Sequence, residues 1–179
     1  MSDSITINSR TLRVFVDDIT MLDVDAFVFY ARSELTLGAG FGTAISVRGG
    51  PSIQEELNGS GPLGVTGVMT TAAGDLKADF IIHAVGPAFM EEDTEGKLRT
   101  TVLNALREAD RKGIKRLAFP AMGAGFYCVP LDLCADVMIG TISNYLGSED
   151  TGLTEVIISV LDKRELKPFR ERLGQPATV

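Results

Sequence analysis

Histidine and cysteine are scarce in this chain of 179 residues, which has one histidine, His83, and two cysteines, Cys128 and Cys134. So few donors, without a Cys-x-x-Cys pair, exclude the common Cys/His zinc sites, and we expect neither a metal nor a cofactor. Tryptophan is absent, and no apolar run approaches the ~20 residues that span a bilayer. The two cysteines suit a reducing compartment, and the N-terminus shows no signal-peptide pattern. We therefore expect a cytoplasmic protein without membrane attachment.

Positive charge is also in short supply. The chain has 17 Lys and Arg against 24 Asp and Glu, a formal net charge of −7 at pH 7. General binding to a nucleic-acid backbone needs clustered Lys and Arg, so we do not expect it. A nucleotide in a small pocket stays possible, because backbone N–H groups can hold phosphate without net positive charge. Length and 45% hydrophobic content suit one domain over residues 1–179, with its core at about 5–173.

Short apolar runs alternate with segments of helical spacing. The pattern predicts an α/β sandwich with a mostly parallel central sheet. Residues 174–179 are expected to form a frayed tail. The predicted strands are 5–7, 12–16, 26–30, 65–71, 80–85, 116–119 and 155–161, and the predicted helices are 43–47, 51–57, 97–112, 131–145 and 163–173.

Three candidate ligand-binding groups follow predicted strands. They are Asp17-Asp18, a glycine loop from Gly38 to Gly42, and a second glycine loop around Gly123-Ala124-Gly125. Ligands of open α/β sheets bind at the carboxyl ends of strands, and glycine turns beside helix starts expose N–H groups that attract phosphate. The set suits a ligand with central phosphates and an amine donor, such as adenine, at one end. Plain turn chemistry for the glycines and an N-cap role for the aspartate are the ordinary alternatives.

A dinucleotide-binding Rossmann domain is one competing interpretation, because Gly38 to Gly42 partly mimics its glycine fingerprint. However, position 43 is Thr43 rather than glycine, and the loop follows the third predicted strand rather than the first. The acidic residue expected at the end of the next strand also has no clear counterpart.

Five segments together match one known family in order and spacing: Val16 to Thr20, Asp25 to Val28, Leu35 to Ile45, Ile81 to Pro87 and Ala118 to Gly125. Through them the chain resembles the macro domain family over residues 12 to 173. The resemblance implies a three-layer α/β/α sandwich with a mixed, mostly parallel sheet. It also implies a cleft at the sheet crest that binds ADP-ribose, free or attached to a protein.

The same resemblance implies roles for individual residues. Asp18 would accept a hydrogen bond from the adenine amine, and Ile19 would line that end. Leu161 stands where many members place an aromatic beside adenine, which implies weaker stacking. The residues implied to wrap the diphosphate and distal ribose are Gly38, Ala39, Gly40 and Phe41 in one loop and Gly123, Ala124, Gly125, Phe126 and Tyr127 in the other, with Phe126 and Tyr127 flanking the ribose.

The chain departs from the hydrolytic members of that family. Phe29-Tyr30-Ala31-Arg32 stands where they often carry Asn-Ala-Ala-Asn, and Gly42 replaces a common Asp. Hydrolysis needs a positioned water and a group that polarises or deprotonates it, and no catalytic residue can be named here. The sequence therefore favours a binding module with little or no hydrolase activity. The alternatives are an ADP-ribosyl hydrolase or O-acetyl-ADP-ribose deacetylase of non-standard arrangement, and an interaction protein whose cleft has drifted.

A few further residues have two interpretations each. Phe29 or Tyr30 must face the cleft, because side chains alternate along a strand, and would make the distal pocket tighter and more apolar. Arg32 either contacts a phosphate or ribose or lies on the surface. We expect Glu34 to be a solvated loop residue, His83 a satisfied core histidine, and Cys128 a semi-buried filler rather than a reactive thiol.

Overall fold

The computed structural model describes residues 3–148 and 150–174, and the described strands form one mixed sheet in the order β1-β2-β7-β6-β3-β5-β4. The five central strands run parallel to one another, while β1 and β4 lie antiparallel at the edges. The strands are β1 (Ser4–Ile7), β2 (Arg10–Val16), β3 (Ala26–Tyr30), β4 (Val68–Ala72), β5 (Phe80–Ala84), β6 (Arg116–Phe119) and β7 (Glu155–Val160).

Helices cover both faces of the sheet, with α1 and α2 on one face and α3, α4 and α5 on the other. None of the described helices is both long and apolar enough to cross a membrane. The predicted tail falls largely on residues 175–179, which lie outside the described residues. The helices are α1 (Phe41–Gly49), α2 (Ser52–Leu57), α3 (Thr94–Arg111), α4 (Leu131–Ser148) and α5 (Lys163–Leu173), and a short 3-10 helix spans Ile19–Met21.

Strand β3 shows why both faces must be covered. Its side chains alternate, so Phe27 and Phe29 pack towards α1 and α2, whereas Ala26 and Val28 pack towards α3 and α4. All four are buried, as expected for a central strand of a parallel sheet. The three-layer α/β/α sandwich with a mixed, mostly parallel sheet is thereby confirmed.

The first residues of β4 and α3 each differ from the prediction by three positions, and both differences have local reasons. Strand β4 begins at Val68 rather than residue 65, because Thr66 has a φ of 73° and the N–H of Gly67 closes a turn onto the Gly64 carbonyl. Helix α3 begins at Thr94 instead of Lys97, because the Asp93 side chain accepts a hydrogen bond from the Gly96 N–H and caps the first turn.

His83 is a core residue of β5, as the sequence predicted, but only half of its ring is satisfied. Nε2 lies 2.9 Å from Thr71 Oγ1, while Nδ1 has no partner among the described residues. Burial lowers the pKa of His83 to about 4. Since the folded state then resists a proton that the unfolded state accepts, stability falls as the pH drops from 6.5 towards 4.

We therefore expect the free energy of unfolding to be about 2 kcal/mol lower at pH 5 than at pH 7, from about 1.5 pH units at 1.36 kcal/mol each. Urea titrations at the two pH values measure this difference. The variant His83→Gln carries no titrating ring and should lose most of it. An equal pH dependence in the variant would show that the buried ring is not its source.

Candidate functional site

A cleft of about 800 Å³ runs along the carboxyl ends of β2, β7, β6 and β3. This is the edge where ligands of open α/β sheets bind. Asp18 lies at one end of the cleft, after β2, and Tyr30 lies at the other, at the end of β3; we name the two ends after these residues. The described lining residues are Val16, Asp17, Asp18, Ile19, Phe29, Tyr30, Arg32, Leu37, Ala39, Gly40, Phe41, Ala44, Pro120, Ala121, Gly123, Gly125, Phe126, Tyr127, Ser159, Leu161 and Glu165.

The Asp18 carboxylate is held by its neighbours. Oδ1 accepts hydrogen bonds from the Thr20 N–H at 3.1 Å and from the Thr20 hydroxyl at 2.7 Å. Oδ2 pairs with the guanidinium of Arg48, which lies in the last turn of α1. Partial burial raises the pKa of Asp18, but the hydrogen bonds from Thr20 and Arg48 outweigh it and leave that pKa below its usual value. Asp18 is thus an ionised acceptor at neutral pH, and it also caps the 3-10 helix.

The first glycine loop (38–42) lines the cleft through Ala39, Gly40 and Phe41. Gly38 and Gly40 both have a φ of 63°, a conformation that glycine adopts without strain. Among the described residues, no protein acceptor takes the N–H groups of Gly38, Ala39 or Gly40. Gly40 is the N-cap of α1, so these donors stand beside the positive end of a helix. Such a concavity attracts phosphate.

The second glycine loop (123–127) lines the same cleft as the first one. Gly123 has a φ of 77°, and a Cβ there would lie 2.8 Å from Val129 and 3.1 Å from the Tyr30 hydroxyl, so only glycine fits. At Gly125 a Cβ would meet nothing within 4 Å. The N–H groups of Gly125, Phe126 and Tyr127 donate to no acceptor within the described chain. Both loops therefore bring unpaired N–H donors to the cleft.

The Tyr30 end is closed by aromatic rings. The Tyr30 hydroxyl donates to the Pro87 carbonyl at 2.5 Å, and its ring centroid lies 5.0 Å from that of Tyr127. Burial raises the pKa of Tyr30 well above its usual value, so the phenol stays protonated. A Cβ at Gly86 would lie 2.3 Å from the Tyr30 hydroxyl, so glycine leaves the space that the ring fills. The phenol of Tyr30 therefore has a structural role: it contacts both the loop at Pro87 and the second glycine loop at Tyr127.

Phe29 stands where hydrolytic relatives often carry the first Asn, and Gly42 stands where they often carry an Asp. Phe29 is buried, and its ring packs edge-on against Phe41 at 5.1 Å and His83 at 5.9 Å. Both Phe29 and Tyr30 line the cleft, although they point to opposite faces of the sheet. At Gly42 a Cβ would lie 1.5 Å from the Leu37 carbonyl oxygen. No side chain fits at position 42 unless the first glycine loop moves.

The cleft contains most of the predicted site residues. Gly38 and Ala124 are the two predicted site residues that do not line the cleft. The Gly38 carbonyl accepts a hydrogen bond from the Thr43 hydroxyl, and Ala124 packs against the core. Nine of the eleven residues therefore line it, namely Asp18, Ile19, Ala39, Gly40, Phe41, Gly123, Gly125, Phe126 and Tyr127.

Sequence reasoning missed three contributors at the Asp18 end. Glu165 lines the cleft from α5 and accepts a hydrogen bond from the Leu161 N–H at 2.8 Å. Ser159 lines it from β7, and its hydroxyl donates to the Asp17 carbonyl. Arg48 pairs with Asp18 across thirty positions of sequence. Of these three residues, only Ser159 could have been recognised as a candidate cleft residue from the sequence, because it is the one polar residue near the end of an apolar strand.

Glu34 and Cys128 lie in loops and are both exposed. Glu34 is exposed, as expected. Cys128 is also exposed, with a φ of 57°, so the prediction of a semi-buried filler is wrong. The turn that follows the second glycine loop holds the thiol outward, because the Cys128 N–H closes onto the Gly125 carbonyl.

A family model described as Macro domain matches residues 30–138 of this chain. The chain belongs to the macro domain family. The macro domain-containing protein SCO6450 of Streptomyces coelicolor is 38% identical over 164 residues, covering 88% of this chain and 95% of that protein. The resemblance read from the sequence is thus confirmed.

Solved macro domains share the fold. A glycine-to-valine point mutant of the Oceanobacillus iheyensis macrodomain, solved with ADPR, aligns with a TM-score of 0.89 at 27% identity and covers 95% of each chain. The same macrodomain has been solved with ADP, with a TM-score of 0.89 at 27% identity, covering 95% of this chain and 93% of that one. A Trypanosoma brucei macrodomain in complex with ADP-ribose has a TM-score of 0.86 at 22% identity, over 91% of this chain and 69% of that one, which supports the fold alone.

Proposed function

We propose that this macro domain binds ADP-ribose, or a related ADP-containing nucleotide, as a recognition module with little or no hydrolase activity. The observation that carries the proposal is the cleft itself. An ionised acceptor, Asp18, stands at one end, and two glycine loops with unpaired N–H donors line the cleft further along. An adenine amine and a diphosphate have the matching chemistry.

The relatives solved with ADPR and with ADP support the same ligand class at 27% identity. The recognition role follows from what the Tyr30 end offers. Tyr30 is protonated and engaged with Pro87, and Gly42 leaves no room for a carboxylate. Neither residue supplies a base that deprotonates a water.

Isothermal titration calorimetry against ADP-ribose, ADP, AMP, NAD and adenosine tests the proposal. We expect ADP-ribose to bind, ADP to bind more weakly, and adenosine to bind least, because adenosine leaves the N–H groups of both glycine loops unused. The absence of binding by any diphosphate in the panel would overturn the proposed function.

Asp18→Ala should weaken ADP-ribose binding by about 1–3 kcal/mol, the range for a hydrogen bond to a charged group. The same titration measures the loss. Asp18→Asn is the matched control, because it keeps an oxygen for the Thr20 hydrogen bonds while the ion pair with Arg48 is lost. If both variants melt at the same temperature as the parent and bind ADP-ribose as tightly as the parent, Asp18 does not accept a hydrogen bond from the adenine amine.

We infer that the binding partner is either free ADP-ribose or a protein that carries ADP-ribose. Binding measurements with free ADP-ribose and with peptides that do or do not carry ADP-ribose distinguish these two partners. A cytoplasmic location stays a prediction that rests on Cys128 and Cys134, both of which are free thiols.

A further inference from the structure

The loop between β5 and α3 (residues 85–93) exposes two large hydrophobic side chains. Phe89 is 46% exposed, and Met90, at 85%, is the most exposed large hydrophobic side chain of the described residues. Neither of them lines the cleft. Single hydrophobic side chains are common on protein surfaces, but neighbouring ones mark a surface that another molecule covers.

Hydrogen bonds give this loop a defined turn. The Ala88 N–H donates to the Glu91 carboxylate at 3.1 Å, and the Glu91 N–H donates to the Ala88 carbonyl at 3.2 Å. The Thr94 hydroxyl donates to the Glu91 carbonyl at 2.6 Å. Met90, inside the turn, has a φ of 66°, which residues other than glycine rarely adopt. The exposure of Met90 therefore belongs to an ordered turn.

The turn lies beside the Tyr30 end of the cleft. The Phe89 N–H donates to the Tyr127 carbonyl at 2.9 Å, which joins the turn to the second glycine loop. In that loop the Phe126 ring is 80% exposed and packs edge-on against the Tyr127 ring, with centroids 5.6 Å apart. We name Phe89, Met90 and Phe126 the apolar rim.

Negative charge follows the two side chains in the same loop. Residues 91–95 contain four acidic side chains and no basic one. Glu92 is exposed and pairs with no cation among the residues that the structure describes. A partner that covers the rim therefore gains from a positive charge beside an apolar group. The other three acidic side chains have partners: Glu91 pairs with Lys97, Asp93 accepts from the Gly96 N–H, and Glu95 pairs with Arg99.

We propose that the apolar rim and Glu92 form a docking surface for a protein that carries ADP-ribose, one whose modified residue has an aliphatic and a basic neighbour. The proposal rests on the proposed function: with adenine at Asp18, the distal ribose and its attachment point lie towards the Tyr30 end. A free nucleotide that fills the cleft leaves Phe89 and Met90 exposed, whereas an attached protein covers them.

The reach of the partner follows from chain geometry. Pro87 contacts the Tyr30 hydroxyl, and Phe89 follows it by two residues, at most about 7 Å along the chain. A peptide covers this distance within about three residues of the attachment point. The residues that reach the rim are therefore the close neighbours of the modified side chain.

Calorimetry with free ADP-ribose and three peptides tests this surface. Each peptide carries ADP-ribose on a serine, and the first has a leucine on one side and a lysine on the other. The second replaces the leucine with glycine, and the third replaces the lysine with glutamate. We expect the first peptide to bind on the order of tenfold tighter than free ADP-ribose, because its leucine is buried, and each replacement to lose part of this gain. The contribution of the lysine should disappear at high salt.

The double variant Phe89→Ser with Met90→Ser should bind the leucine peptide no better than the glycine peptide, and free ADP-ribose as the parent does. Glu92→Gln should reduce the difference between the lysine and glutamate peptides. Val47→Ser is the control for the double variant, because Val47 is 77% exposed on α1 and does not line the cleft. Glu55→Gln, on α2, is the control for the lost charge. Both controls should bind all four ligands as the parent does.

Equal affinity for free ADP-ribose and all three peptides would overturn the docking surface, and so would a leucine preference that survives in the double variant. The proposed function would stand in both cases, because free ADP-ribose would still bind. Dimerisation of the free protein that the double variant abolishes, measured by sedimentation, would assign the rim to a second copy of this chain instead. Failure of the parent to bind any of the four ligands would overturn both proposals.

Discussion

Replacing Gly125 with glutamate should abolish ADP-ribose binding while leaving the fold intact. A Cβ at this position meets nothing within 4 Å, and its φ lies outside the left-handed region, so the backbone accepts a side chain. The new carboxylate would stand beside the unpaired N–H groups of Phe126 and Tyr127. It would take the place of the diphosphate and repel it.

Calorimetry with ADP-ribose and thermal melting of the free protein measure the two halves of this result. Gly125→Gln is the matched control, because it adds nearly the same bulk without the charge and should weaken binding less. Gly125→Ala should bind close to the parent level. Full affinity in the glutamate variant would mean that the second glycine loop is only a turn and does not hold phosphate.

Turnover should be slower than that of an Asn-bearing relative by a factor of about 10²–10⁴, the usual effect of losing a positioned general base. The two amide positions hold Phe29, which is buried against Phe41, and Arg32, whose guanidinium lies over the Phe126 ring. Gly42 cannot take the missing carboxylate, because a Cβ there would lie 1.5 Å from the Leu37 carbonyl oxygen.

Time courses on proteins that carry ADP-ribose on glutamate, serine or arginine measure this prediction, with the Asn-bearing relative run in parallel. Binding of ADP-ribose, checked in the same samples, controls for a misfolded preparation. Turnover comparable to that relative on any of the three linkages would contradict the recognition role. Variants of Arg32, Glu34, Tyr127 and Cys128 would then locate the catalytic group.

The fold was predictable from local sequence because each layer leaves a periodic signal. The alternating and continuous apolar runs predicted the strands, and the 3.6-residue spacing of Leu98, Val102 and Leu106 predicted α3. The boundaries at β4 and α3 were less accurate, since they depend on the positive φ of Thr66 and on the Asp93 cap.

The site was predictable only where its groups are local. Glycine loops after strands can be recognised directly, and so can an aspartate at a strand end. The pairing of Arg48 with Asp18 and the bond from Tyr30 to Pro87 join residues far apart in the chain. No periodicity encodes such contacts, because they exist only after the strands have been ordered in the sheet.

Helix α1 joins the two halves of the cleft in a single rigid piece. Its first residues follow the N–H donors of Gly40 and its last turn carries Arg48, which holds Asp18. Nine residues of helix span about 13 Å at 1.5 Å per residue. The length of α1 therefore fixes the distance between the N–H donors at Gly40 and the carboxylate of Asp18. A ligand that uses both must carry its phosphates and its amine at a matching distance. A molecule that carries a phosphate and an amine at a different spacing can bind the N–H donors at Gly40 or the carboxylate of Asp18, but not both.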